Sequence, residues 1–139
     1  QLEAEGYRQI VSGQDAAQAL GASGPISAIG YVFNEEWANR NKEAVLGFLR
    51  ASRAAKELLR TSDAEWERLR PQMNVEADAV FANLVKRYRE GIPNRPIAEE
   101  ELDTAKVYDR LARIGGEELV GPAVSMAPVT FWSAHKEWL

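Results

Sequence analysis

The sequence predicts an α/β fold that is mostly helical and contains two or more short strands. The strand prediction comes first from residues 26 to 33, an apolar run with too few polar positions for a strand that is buried on one face only. Residues 6 to 11 form a second, shorter strand candidate. A series of amphipathic segments from Asn34 onward predicts the helices. A strand that is apolar on both faces must be covered on both, so residues 26 to 33 indicate an interior strand of a parallel or mixed sheet.

Composition and charge exclude several classes of function. The chain has 139 residues, of which 45% are hydrophobic, and this is enough for the core of one domain. Its net charge is -4, and its seventeen Lys and Arg residues are interspersed with acids, so we expect no nucleic-acid partner. No apolar run reaches the roughly 18 residues of a membrane helix, so we expect no direct membrane insertion. The absence of cysteine excludes disulfides and thiolate ligands.

The N-terminal sequence QLEAEGYRQI has no basic region followed by an apolar core, so it does not resemble a signal peptide. Two explanations stay open. The protein is cytoplasmic, or the chain is a processed or truncated product whose targeting segment lay further upstream.

Start and stop signals predict four helices after Asn34, with one short helix over residues 14 to 20 before it. Asn34 is a good N-cap and is followed by two glutamates, and the helix it starts is expected to reach about Arg60. Ser62 to Glu65 matches a capping box, and Pro71 is expected to end the short helix that follows.

Asn74 is expected to cap the next helix, which ends near Gly91. A turn with two prolines follows at residues 91 to 96. The last long helix is predicted over residues 98 to 114, ended by Gly115 and Gly116. From Glu117 we expect loop or edge structure, with a helical turn or two close to the C-terminus.

The inventory of reactive side chains favours a protein that is not an enzyme. His135 is the sole histidine and lies four positions from the C-terminus, so we interpret it as a surface or packing residue. Glu99, Glu100 and Glu101 are interpreted as complements of a helix dipole, because consecutive helical residues point about 100° apart. The glycine-rich turn at residues 21 to 24 lacks the spacing of a P-loop or of a dinucleotide fingerprint. We therefore predict no catalytic residue, no metal site and no cofactor.

The aromatic residues fall into two groups. Trp37 and Trp66 lie on apolar helix faces and are expected in the core. Trp132 stands beside Phe131 in an irregular tail, and these two residues, with Tyr31, are the candidate ligand-contacting residues.

The order of these segments resembles a known family. A strand starting at Gly6, a glycine turn and an apolar strand ending in an aromatic precede the long helix NEEWANRNKEAVLGFLRASRAAKELLRTSDAEW. This is similar to the C-terminal part of the substrate-binding proteins of ABC importers that bind nitrate, taurine, alkanesulfonates and thiamine-precursor pyrimidines. In that family the corresponding helix has an aromatic residue, an acidic start, a valine-leucine pair and an alanine-rich stretch. The matching residues in this chain are Trp37, Val45, Leu46, Phe48, Leu49, Ala51, Ala54 and Ala55.

The resemblance implies a fragment of a two-lobed, type II periplasmic-binding-protein fold. Residues 1 to 24 would end one lobe, residues 25 to 33 would form the strand that crosses between lobes, and residues 34 to 139 would pack on the other lobe. The hinge that absorbs lobe closure would include a glycine and a proline: Ser23, Gly24, Pro25 and Ser27. The importer function requires residues 26 to 33 to be interior sheet. A self-sufficient compact fold in which these residues are helical or lie on the outside would rule that function out.

The resemblance also implies the location and the partners. The protein would be periplasmic or extracytoplasmic. It would bind a small, anionic or aromatic ligand between the lobes and would contact the membrane permease and the missing N-terminal part of the same protein. Two alternatives stay open: an enzyme on the same fold, similar to a pyrimidine synthase that supplies its own histidine, and a helical protein-interaction domain.

Overall fold

The computed structural model describes residues 2 to 134, and every regular element in that range is a helix. No described residue lies in a strand, so the predicted α/β fold with two or more strands, as a fragment of a two-lobed type II binding protein, is wrong for this chain. The elements are a 3-10 helix at Leu2–Glu5, followed by α1 (Gly13–Ala19), α2 (Glu35–Arg40), α3 (Lys42–Thr61), α4 (Asp63–Met73), α5 (Asp78–Glu90) and α6 (Ile97–Val120).

Residues 26 to 33, predicted as a buried strand, are irregular and largely exposed. Ile29 is 90% exposed and Val32 is 96% exposed. A strand requires a neighbouring strand to satisfy its backbone groups, and an apolar run does not supply that neighbour. The apolar composition of residues 26 to 33 is typical of a buried strand, but no described segment forms a sheet with which these residues could pair.

Residues 6 to 11, the second strand candidate, are also irregular. The amides of Gly6 and Tyr7 donate to carbonyls of the preceding 3-10 helix, and Gly6 has a positive φ of 92°. Tyr7 and Ile10 are exposed. The backbone here continues a helical turn instead of extending, which explains why a short apolar cluster did not become a strand.

The chain divides into two compact units. Unit 1 comprises residues up to Ile10 together with Glu36–Ile92, and unit 2 comprises Val11–Glu35 together with the residues from Pro93. The predicted segments 1 to 24, 25 to 33 and 34 to 139 refer to a larger two-lobed protein, and their boundaries stay a prediction.

Unit 1 is built around the indole of Trp66. This side chain is 5% exposed and packs with Phe81 and Val85, as predicted for a core tryptophan. Its Nε1 donates to the carbonyl of Leu59 at 2.7 Å, and its ring meets Tyr88 edge to face at 5.0 Å between centroids. A buried indole needs such an acceptor for its N–H, so the packing and the hydrogen bond together define one position for α4 on α3.

The helices of unit 1 differ from prediction at their ends. The long helix predicted from Asn34 begins at Glu35 but is interrupted at Asn41, whose ψ of 36° is not helical. Ser62 accepts from the amide of Glu65 at 3.3 Å and caps α4, as predicted. Pro71 does not end α4, because a proline removes only its own N–H and the helix has two more residues to run.

Asn74 ends α4 instead of starting α5. It adopts left-handed backbone angles (φ 53°, ψ 42°), which Asn tolerates better than most residues. Consequently α5 starts four residues later, at Asp78, and it ends before Gly91 as predicted.

Unit 2 has a small core in which α1 and α6 meet. Ala17, Ala22 and Val107 are buried there, packed by three partly buried residues: Leu20, Ile26 and Leu111. Ser12 and Asp15 form a reciprocal capping box that starts α1. The predicted two turns over residues 14 to 20 are therefore a real helix.

The helix α6 changes direction at the predicted glycine pair. Gly116 has non-helical angles (φ 58°, ψ -156°), and beyond it the short segment to Val120 is helical again. The Tyr108 hydroxyl donates to the carbonyl oxygens of Val120 (3.2 Å) and Ala123 (3.0 Å) in a shared hydrogen bond. The glycine pair thus ends the predicted helix, and Tyr108 holds the segment that follows.

We expect the Trp66→Ala variant to lose about 3–5 kcal/mol of unfolding free energy, because it removes a buried ring and leaves a cavity. Urea unfolding followed by circular dichroism measures this loss. Trp37→Ala is the matched control: Trp37 is 49% exposed, against the prediction that it lies in the core, and its removal should reduce stability by less than about 2 kcal/mol. Equal losses in the two variants would contradict this description of the core.

Candidate functional site

The loop from Ala22 to Ser27 contains all four predicted hinge residues, and it is held at its start and its end by α1. Ala22 is buried in the unit 2 core. At the other end, the Gln14 side chain binds both backbone groups of Ile26: its Nε2 donates to the carbonyl at 3.0 Å, and its Oε1 accepts from the amide at 3.1 Å. The side-chain amide of Gln14 thus makes the two hydrogen bonds that a neighbouring strand would make, and it fixes the backbone of Ile26 without a sheet.

Asp103 of α6 binds the first hinge residue. Its Oδ2 accepts from the Ser23 amide at 2.9 Å and from the Ser23 hydroxyl at 2.7 Å. The Asp103 side chain is 1% exposed. A carboxylate this deeply buried requires donors on both oxygens, and Lys106 supplies the donor to Oδ1 at 3.0 Å.

Arg95 binds the middle of the same loop. Its Nη1 donates to the carbonyl of Pro25 at 3.0 Å and to Asp103 Oδ2 at 2.9 Å. Its Nη2 donates to the Ser23 hydroxyl oxygen and to Glu99, both at 3.3 Å. The guanidinium carries five N–H donors in a fixed planar fork, so one side chain can bind acceptors that lie several ångströms apart. Only 12% of this side chain is exposed.

Glu100 binds the last hinge residue. Its Oε1 accepts a short hydrogen bond from the Ser27 amide, and Glu100 is buried. Glu100 and Asp103 are three residues apart and therefore lie on one face of α6. We call Arg95, Glu100 and Asp103 the clasp: these three residues bind Ser23, Pro25 and Ser27.

Charge within the clasp is stabilised by its own hydrogen bonds. Donation by Ser23, Lys106 and Arg95 holds the pKa of the Asp103 carboxyl well below its usual range, although burial acts in the opposite direction. The Asp103 and Glu99 carboxylates in turn raise the pKa of Arg95. The pair is therefore ionised at neutral pH.

The candidate ligand-contacting residues lie apart from the clasp contacts. Trp132 packs edge to face on Phe33, with 5.5 Å between ring centroids and 88° between ring planes. Tyr31, two residues before Phe33, is half exposed, and Phe131 is partly buried. The structure thus brings the tail around Trp132 to the end of the apolar segment, and Phe33 was not predicted as part of this group.

The remaining predicted site residues have separate positions. Glu99 pairs with Arg95 at 3.3 Å. Within residues 2 to 134, no three His, Cys, Asp or Glu side chains come together in a way that could hold a metal ion. No helix in that range is long and apolar enough to cross a membrane. His135 lies outside the described residues.

Unit 1 carries an open groove of about 640 Å³ between α4 and α5, lined by Trp66, Phe81 and Val85 among others. Two arginines stand at its edges, and both have acidic partners: Arg70 pairs with Asp78 and Arg89 pairs with Asp63. The guanidinium of Arg70 also lies 4.6 Å from the centre of the Phe81 ring. The charged side chains that line the groove thus include ion pairs within unit 1, and its apolar lining belongs to the core around Trp66.

No family model matches the sequence of this chain, and no curated protein matches it.

Sequence reasoning missed the clasp, although a signal for it was present. Glu100 and Asp103 fall in the same three-and-four spacing as Val107 and Leu111, which form the apolar stripe of α6. Acidic residues on an apolar stripe indicate buried carboxylates that need donors. The prediction that Glu100 complements the helix dipole overlooked its place on the apolar stripe. The donor to Glu100 is the amide of Ser27, which is more than seventy residues away in the sequence.

We expect the Asp103→Asn variant to lose about 3 kcal/mol of unfolding free energy at neutral pH, because Lys106 then lacks its carboxylate partner and Arg95 keeps only the exposed Glu99. The pKa of Asp103 is lowered in the folded state, so its contribution is fully present above the unfolded value and is lost as the pH falls below it. The difference between the native protein and the variant should therefore shrink below about pH 4. Urea unfolding at several pH values measures it, and a difference that stays constant down to pH 2 would contradict the ionised clasp.

We expect Gly24→Ala to displace Arg95, because the new Cβ would lie 2.9 Å from its Nη1 and 3.0 Å from its Cζ. Overpacking of this kind reduces stability by about 1–3 kcal/mol. Gly30→Ala is the matched control, since a Cβ there meets no atom within 4 Å. In an Arg95→Ala background the effect of Gly24→Ala should largely disappear, as thermal unfolding of the four variants would show.

Proposed function

We propose that this chain is the helical C-terminal portion of an extracytoplasmic solute-binding component of an ABC importer. In this function the complete protein captures a small ligand and delivers it to the permease. The proposal starts from the resemblance of the segment order and of the long helix after Asn34 to that family. It does not include the α/β sheet that the sequence predicted.

The exposed apolar segment at residues 28 to 33 indicates a covering partner, which an importer fragment and an interaction domain would both have, so the resemblance alone favours the importer. Ile29 and Val32 have almost no contact with the rest of the chain, and Ile29 is followed by a glycine and two further apolar or aromatic residues. Contiguous exposed apolar surface in a protein marks an interaction site. In unit 1, Phe48 and Leu58 of α3 are also half exposed. We infer that the remaining part of a larger protein covers these residues.

The position of residues 26 to 33 counts against the importer function in the form that the sequence predicted. That form required these residues to be interior, and they are on the outside. The proposal therefore depends on a covering segment, and it fails if the chain is complete and stable with this surface exposed.

The aromatic group at the end of the apolar segment supports a small ligand with a flat part. Phe33 and Trp132 provide aromatic rings that such a ligand can contact, and Tyr31 adds a hydroxyl nearby in sequence. Of the ligands that the resemblance implies, the pyrimidines have such a flat ring, whereas sulfonate and nitrate rest on the resemblance alone.

A helical protein-interaction domain is the second candidate. The described chain is helical throughout its regular elements, and α3 exposes apolar residues at three-and-four spacing: Ala44, Phe48, Ala51, Ala55 and Leu58. Another helix could pack on such a face. This candidate needs no small ligand.

Tryptophan fluorescence of the complete protein distinguishes the two candidates. Titration with taurine, nitrate, an alkanesulfonate and an aminopyrimidine should give saturable quenching with one of them if the protein binds solutes. Because Trp132 is the proposed contact, Trp132→Ala should weaken that binding by about tenfold or more. Isothermal titration calorimetry provides an affinity that does not depend on fluorescence.

Trp66→Phe is the control, since Trp66 is buried in the unit 1 core and should not affect ligand affinity. If no compound in the panel binds and the complete protein instead forms a stable complex with another helical protein, the interaction domain is correct. Equal affinity losses in the Trp132 and Trp66 variants would remove Trp132 from the site.

A further inference from the structure

The residues predicted as a hinge are the best anchored part of their segment. The clasp and Gln14 together bind Ser23, Pro25, Ile26 and Ser27. A hinge residue must change its backbone angles freely during movement. Each change at Ser23 or Ser27 would break a hydrogen bond between a backbone amide and a buried carboxylate, which is among the stronger kinds of hydrogen bond in proteins.

The clasp contacts end at Ser27, and the chain beyond it is different. Residues 28 to 34 lie outside any helix before α2 begins at Glu35. Ile29 and Val32 are almost fully exposed. A Cβ added to Gly30 would meet no atom within 4 Å, so the backbone there has both the conformational freedom of glycine and open space around it.

We propose that Arg95, Glu100 and Asp103 are positioning residues that pin the loop from Ala22 to Ser27, and that backbone movement is confined to residues 28 to 30, with Gly30 as the pivot, ahead of the packing of Phe33 on Trp132. The movable segment therefore starts after the predicted hinge, not within it. Its importance for ligand capture rests on the proposed function, whereas the anchoring is a property of this chain.

The position of Arg95 gives the clasp a second role. The chain returns to unit 2 at Pro93, and Arg95 follows two residues later. Arg95 thus ties the start of this second stretch of unit 2 to the loop from Ala22 to Ser27, which precedes the movable segment. Within unit 2, the clasp fixes the start of the movable segment relative to the start of α6.

Amide hydrogen exchange of the full chain, read residue by residue by NMR, tests the anchoring directly. In the unaltered protein, the amides of Ser23 and Ser27 should exchange at least about tenfold more slowly than those of Ile29 and Val32, after correction for intrinsic rates. If all four amides exchange at similar rates, the proposal is wrong. This comparison needs no variant.

Variants then show whether the clasp causes the protection. Asp103→Ala should accelerate exchange at Ser23 by about tenfold or more, and Glu100→Ala should do the same at Ser27. Lys106→Ala is the matched control: it removes another partner of Asp103 on the same helix but does not touch the loop. If Asp103→Ala fails to fold, Arg95→Gln and Glu100→Ala carry the test.

Unchanged exchange at Ser23 or Ser27 in the folded clasp variants would overturn the proposal, and so would an equal acceleration in Lys106→Ala. The pivot is tested by Gly30→Pro, which restricts φ at that residue. This variant should raise the backbone order parameters of Ala28 and Ile29 and leave exchange at Ser23 unaffected. Acceleration at Ser23 would place the pivot elsewhere.

The solute titrations of the complete protein separate this inference from the proposed function. If Ser23 and Ser27 are protected but no solute binds, the anchoring holds and the importer function is wrong. If a solute binds but these amides are unprotected, the function holds and the anchoring is wrong. If both hold, Gly30→Pro should change ligand affinity more than Gly30→Ala does.

Discussion

The buried carboxylate of Asp103 is the constraint on which unit 2 depends. An ionised group that is 1% exposed is tolerated only because charged and polar donors surround it. Those donors come from three places along the chain: the loop at Ser23, the turn at Arg95 and the next turn of α6 at Lys106. The apolar core of this unit is small, so much of the specificity with which α6 meets the loop comes from these polar contacts. A single acidic side chain thus organises segments eighty residues apart.

Unit 1 depends on a different kind of interaction. Its centre is an indole whose ring packs on Phe81 and Val85 and whose N–H is bound by the Leu59 carbonyl. Around that core the ion pairs are mostly between neighbours on one helix and are exposed, such as Arg60 with Glu57, and such pairs contribute little. An exception is the contact between Glu3 and Arg87, which joins the N-terminal 3-10 helix to α5 and lowers the pKa of Glu3 to about 2.

Unit 2 combines an anchored loop with an exposed apolar segment. The hydrogen bonds of the clasp end at Ser27, and the side chains of Ile29 and Val32 beyond it are almost fully exposed. The same stretch carries the most exposed apolar side chains of unit 2, so a partner that covers Ile29 and Val32 would also order it. Binding and ordering would then occur together, with the ordering entropy reducing the affinity.

The sequence by itself determined the helices, because their information is local. Capping at Ser62, the glycine ends at Gly91 and Gly115, and the burial of Trp66 depend on spacing within one helix and its neighbours, and each was predicted. The boundaries that failed, at Asn41, Pro71 and Asn74, are positions where one residue suits two different roles. Only the tertiary structure decided the strands and the clasp, because both depend on distant partners. Residues 26 to 33 have the composition of a strand, but the described part of the chain, residues 2 to 134, offers no sheet for them to join. Glu100 and Asp103 resemble ordinary acidic helix residues in the sequence, and only the fold brings the loop from Ser23 to Ser27 to them.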